Sequence, residues 1–175
     1  MPTEVVRVGV AIGVPQPWGA ELDAARARAK DPMAALIPSH VTLLGPTDVP
    51  AAALPEITAH LTGVAGSHHG FTLQLRGTGT FRPVTDVVFV AVSAGISDCE
   101  VLAAAVRSGP LARELNYPYH PHVTVAHDTP PESLDSAYED MADYTARFDV
   151  DHFTFYVHGD AGGWRPVQDF PLLPC

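Results

Sequence analysis

The stretch PSHVTLLGPT, residues 38–47, returns in altered form as HPHVTVAHDT, residues 120–129. His40-Val41-Thr42-Leu43 and His122-Val123-Thr124-Val125 share one pattern: histidine, apolar, threonine, apolar. On an extended strand, side chains i and i+2 lie on the same face. Each segment therefore sets one imidazole beside one hydroxyl, while the valine and the next aliphatic residue turn to the core. A single such triplet arises readily by chance. Two copies, each closely preceded by proline and followed by a turn, predict two strands of a duplicated architecture. Brought together, they form a groove with two histidines and two threonines facing each other.

That arrangement suits displacement at phosphorus. One group must take a proton from the attacking oxygen, and another must deliver one to the departing oxygen on the opposite side. An unperturbed imidazole titrates at ~6.5, so near neutral pH one histidine can be neutral and the other charged. Threonine hydroxyls donate to the non-bridging phosphate oxygens, where fixed donors stabilise developing charge. The scheme needs no metal and no cofactor.

Outward from the two motifs, the periodicities alternate. Val6, Val8, Val10 and Ile12 repeat every second residue, as a strand does. Trp18, Leu22, Ala25 and Ala29 follow at helical spacing. His40 to Leu44 is a short strand closed by Gly45-Pro46, and Leu54, Ile57 and Leu61 mark a second helix with Pro55 in its first turn. Phe71 to Leu75 and Val87 to Val92 are strands. Ser97-Asp98-Cys99-Glu100 has the form of a helix capping box, as does Thr129-Pro130-Pro131-Glu132. His122 to Ala126 is a strand, Leu134, Tyr138 and Met141 share a helix face, and 148–157 and 165–172 complete the chain as two strands. Helices interspersed with strands joined by short turns predict an α+β fold with outer helices rather than a doubly wound parallel sheet. No linker divides residues 1–175, so one bilobal domain is expected.

Ten Lys and Arg against 20 Asp and Glu leave a net charge of −10. Binding long duplex nucleic acid needs a basic surface, so that partner is not expected, whereas a small nucleotide held by local groups is. Lys30 stands alone against nine arginines, so a cation on a ligand should be an arginine. Cys99 and Cys175 form no CxxC motif or disulfide framework. There is no apolar run long enough to span a membrane and no signal-peptide pattern at the start. A reduced, cytoplasmic monomer without membrane partners is the expectation.

The two motifs make the sequence similar to the 2H phosphoesterase superfamily, which includes the 2′-5′ RNA ligase and RNA 2′,3′-cyclic phosphodiesterase proteins. IPSHVTLLGP and YHPHVTVAH match its paired His-x-Thr-x motifs in order, and GTGTFRPVTDVVFVAV resembles its central strand pair. The resemblance covers about the whole chain. It implies a bilobal α+β fold with pseudo-twofold symmetry and a central cleft. It implies His40, Thr42, His122 and Thr124 as the catalytic set, and a metal-independent phosphoesterase acting on 2′,3′-cyclic phosphate RNA ends or related cyclic nucleotides. Hydrolysis in the family leaves a 2′-phosphate, and ligation is the reverse-type reaction.

Other residues carry two readings each. Arg82 suits a bidentate phosphate contact or a solvated turn; Phe81 suits base stacking or the core. Tyr119 and His120 are candidates for the cleft rim, and Arg165 for a phosphate contact. His127, at i+5 from His122, falls on the opposite face of an ideal strand. His152, Thr154, Tyr156 and His158 form the polar, solvated face of an alternating strand. Two competing functions remain: a non-catalytic nucleotide-binding module, and a metalloprotein using His120, His122 and either His40 or His127. The metalloprotein leaves the paired threonines unexplained.

Overall fold

The structure is a computed structural model that describes residues 3–160 and 162–175. Its element order is β1 (Val5–Gly13), α1 (Trp18–Arg28), β2 (His40–Pro50), α2 (Leu54–Ala65), β3 (Phe71–Thr80), β4 (Val87–Ala94), α3 (Ile96–Val106), β5 (His122–His127), α4 (Pro131–Asp140), β6 (Thr145–Val150), β7 (His152–His158) and β8 (Trp164–Pro171). Two four-stranded sheets result, ordered β2-β1-β7-β8 and β5-β4-β3-β6, with every pairing antiparallel. The unit β1-α1-β2-α2 is thus repeated as β4-α3-β5-α4. In each copy the motif strand is an edge strand beside its own first strand. This is the expected α+β, pseudo-twofold, bilobal arrangement.

The helices cross between halves. α1 packs on β5 and against α4, while α3 packs on β2 and against α2. The core runs through both sheets, including Val8, Ile12, Val41 and Leu43 from one and Leu73, Val90, Val123 and Val125 from the other. Burying each such side chain contributes about 1.5–3 kcal/mol, and the period-two apolar positions of β1 and β4 supply them.

Four local expectations are corrected. Gly45-Pro46 does not end β2, which continues to Pro50 opposite Val5. The stretch 148–157 is not one strand: the chain leaves one sheet after Val150 and enters the other at His152, adding an eighth strand. Neither capping box forms. α3 begins after Gly95, whose φ of +90° suits a residue without Cβ, and Ser97 falls inside the helix. α4 follows Pro130 with no side-chain cap, and the Thr129 hydroxyl is buried without a partner. Finally, Thr154 and Tyr156 are buried rather than solvated, because β8 covers their strand and Asp169 accepts the Thr154 hydroxyl at 2.7 Å.

Candidate active site

β2 and β5 come together as neighbours between the two halves. Each carries the same irregularity. Thr42 pairs with Ala11 and Leu44 with Val10, leaving Leu43 as an extra residue; Thr124 pairs with Phe89 and Ala126 with Val88, leaving Val125 extra. A bulge of this kind bends the strand and resets the alternation. Both motifs consequently show one burial sequence: the histidine and threonine half-buried, with the valine and the next two aliphatic residues in the core.

The histidines are held alike. His40 Nδ1 bonds the Pro38 carbonyl at 2.8 Å, and His122 Nδ1 bonds the His120 carbonyl at 2.6 Å. A carbonyl oxygen only accepts, so Nδ1 carries the proton and Nε2 of each neutral ring is left with its lone pair. The turn before His40 is pinned from α1, where Asp23 Oδ1 accepts from both the Ser39 amide at 2.8 Å and its hydroxyl at 2.6 Å. His122 rests edge-on against Phe81 at 5.0 Å between centroids, and Phe89 lies 5.2 Å away. Gly79, opposite Phe89, admits that ring: a Cβ there would stand 2.6 Å from it.

Burial is the largest influence on both imidazoles. It lowers the pKa of His40, with the Arg26 guanidinium adding to the effect, and brings His122 down to about 4, with His120 and His40 as further contributors. In the free protein, desolvation favours the neutral form of both rings.

Two cavities meet at Thr42. The larger, about 680 Å³, is lined by Thr42, Phe81, Tyr119, His120 and His122, among others. The smaller, about 280 Å³, lies on the other side, against His40, Thr42, Arg26, His127, Tyr156 and Trp164. Thr124 is half-buried on the face of His122 and lines neither cavity. The Tyr119 hydroxyl donates to the Thr42 carbonyl at 2.7 Å, and burial raises its pKa.

The remaining candidates divide. Phe81, Tyr119 and His120 stand at the larger cavity. Arg82 does not: Asp135 accepts from its guanidinium at 2.8 Å and Thr80 from its Nε at 3.2 Å. Arg165 is exposed on β8 and lines neither cavity, though its neighbour Trp164 does. His127 is the reverse case. The Val125 bulge turns it to the face of His122 and into the smaller cavity, correcting the ideal-strand expectation. Arg107, Tyr156 and Asp23 were missed by sequence reasoning, since each reaches the site through tertiary packing from elements with no motif. Among the described residues no three of His, Cys, Asp and Glu are grouped to hold a metal ion, and no helix is long and apolar enough to cross a membrane.

Comparison with known proteins agrees with this fold. The model of the 2′-5′ RNA ligase superfamily matches residues 14–162. Relatives from Bacillus cytotoxicus and Geobacillus sp. (strain WCH70) bear the name "Putative phosphoesterase"; they are 28% identical over 81% of this chain and 83% of theirs, and 27% identical over 78% and 79%. E. coli LigT complexed with NADP+ superposes with a TM-score of 0.67 at 27% identity, covering 97% of this chain and 99% of that one. TT0787 of Thermus thermophilus shares the fold at TM-score 0.70 and 22% identity, covering 95% and 97%. With paired His-x-Thr strands at the meeting of two pseudo-equivalent sheets, the chain belongs to the 2′-5′ RNA ligase superfamily of 2H phosphoesterases.

Proposed function

We propose that this protein hydrolyses a 2′,3′-cyclic phosphate on a nucleotide or a short RNA end, with His40 and His122 as its acid–base pair and no metal ion. The observation that carries the reading is the matched tethering of the two rings. Each gives its Nδ1 proton to the carbonyl two residues earlier, leaving Nε2 as the working atom. LigT has been solved with 3′-AMP, which makes a ribonucleotide phosphate an appropriate ligand class.

The chemistry follows from the electrostatics. Desolvation favours the neutral form of both rings before substrate enters. A phosphodiester anion entering between them favours a charged imidazole and restores one proton to the pair. The neutral ring accepts a proton from water as the water oxygen bonds to phosphorus. The protonated ring gives its proton to the ribose oxygen as the P–O bond on the far side breaks. The product keeps a 2′-phosphate and a free 3′-hydroxyl. Thr42, which borders both cavities, donates to a non-bridging oxygen, and Thr124 does so from the second strand. The acidic surface and a groove of nucleotide size favour short substrates.

The test is a panel of 2′,3′-cyclic mononucleotides, linear diesters and cyclic-phosphate RNA ends, with products separated by chromatography. Release of 2′-phosphorylated product in the presence of chelator is expected. Turnover of linear diesters alone, or none at all, would overturn the reading.

A further inference from the structure

We propose that Arg107 binds a second phosphate of the substrate, so that the groove selects a nucleotide carrying a 5′-phosphate besides the cyclic phosphate that reacts. This rests on the preceding reading of the His40–His122 site.

The pseudo-twofold repeat supplies the comparison. Arg26 lies in the last turn of α1, and Arg107 immediately follows α3, the equivalent helix. Each lines one of the two cavities that meet at Thr42. The fold neutralises the first: Arg26 Nε bonds Asp31 Oδ2 at 2.7 Å, and both side chains are buried. It leaves the second open. Arg107 Nε is buried with no hydrogen-bond acceptor. A desolvated donor without an acceptor is costly, and more so on a cation.

Nothing in the wall around Arg107 provides the missing charge. Of the chain's 20 acidic residues, none lines the larger cavity. Its surfaces are largely aromatic and aliphatic, with Phe81, Tyr117 and Tyr119 among them. Val84 and Tyr117 remain 65% and 64% exposed at its margin. Such walls suit the faces of a nucleobase. A guanidinium beside them suits phosphate, which it meets with paired N–H donors.

Tyr119 links Arg107 to the motif strand. The Arg107 guanidinium sits 5.6 Å from the centre of the Tyr119 ring, and the hydroxyl of the same ring bonds the Thr42 carbonyl at 2.7 Å. One side chain, Tyr119, thus touches both Arg107 and the strand that borders the reacting phosphate.

The experiment compares adenosine 2′,3′-cyclic phosphate with its 5′-phosphorylated form. The wild-type protein should show a KM lower by about 10- to 10²-fold for the phosphorylated probe, the scale of a charge-assisted pair. Arg107→Met keeps the apolar stem and should bring the two KM values together, changing kcat far less than KM. Arg107→Lys should recover part of the preference. Circular dichroism checks that the variants fold. As a measurement independent of turnover, competition by 5′-AMP over adenosine should vanish in Arg107→Met. Equal KM values in the wild type, or a preference that survives Arg107→Met, would overturn this inference while leaving the hydrolysis reading intact. Failure of the wild type to hydrolyse either probe, and cyclic-phosphate RNA ends as well, would overturn both.

Discussion

Tyr119 and Thr42 are joined across the groove: the phenol donates to the threonine carbonyl at 2.7 Å, tying the segment before one motif to the strand of the other. The bond fixes where the β5 approach sits relative to β2. Removing it in Tyr119→Phe should cost about 0.5–1.5 kcal/mol in denaturant unfolding, the usual worth of one such bond. It should also lower kcat several-fold, because small displacements of catalytic groups are expensive. Unchanged stability and kcat would show that the tie does not position the motifs.

Thr42→Val and Thr124→Val keep the shape of a β-branched side chain and delete the hydroxyl. Each should reduce turnover by about 10²-fold, the scale of one lost transition-state donor. The Thr42 variant should be the more damaged, since Thr42 borders both cavities and Thr124 neither. Steady-state kinetics with parallel thermal melts decide this. Normal turnover by both variants would remove the phosphate clamp.

His40→Ala and His122→Ala should each slow the reaction by about 10²-fold or more. The double variant should lose less than the product of the single losses, as the proposed acid–base pair acting as a unit requires. A strictly multiplicative double loss would mean that the histidines work independently.

The free protein should lose stability in mild acid. An unfolded histidine takes up its proton near ~6.5, whereas folded His122 waits until about 4. Between those values the unfolded chain binds a proton that the folded chain does not, so stability falls as pH drops through that window and this contribution levels off below it. Denaturant titrations of the wild type and His122→Gln should diverge there, the variant showing the shallower decline. Coincident curves would refute burial as the cause. Adding a non-hydrolysed nucleotide phosphate should raise the imidazole pKa values, read from ring-proton NMR shifts.

With His40 and His122 as the proposed acid–base pair, activity should survive exhaustive chelation. Loss with EDTA and recovery with one divalent ion would favour the metalloprotein alternative, with His120 and His122 as its first ligands.

The two His-x-Thr segments were legible because their meaning is local. Period two puts His40 with Thr42 and His122 with Thr124 on one face whatever surrounds them, and duplication of the pattern implied duplication of the sheets. The same local logic failed wherever pairing overrode it. His127 joined the site because Val125 is an extra residue opposite a regular β4, a fact about two strands that one strand cannot state. Thr154 and Tyr156 alternate as a solvated face should, yet β8 and the small cavity's walls enclose them. Arg82 carried the more suggestive context, beside Phe81 and a buried strand, but Asp135 on α4 claims it. Arg107 had no motif at all. Its place at the groove follows from α3 packing on β2, and its unpaired nitrogen from the absence of any carboxylate in the wall. Alternation along a strand is dictated by backbone geometry and can be read from residue order. Which charge meets which partner depends on elements distant in sequence, and only their packing decides it.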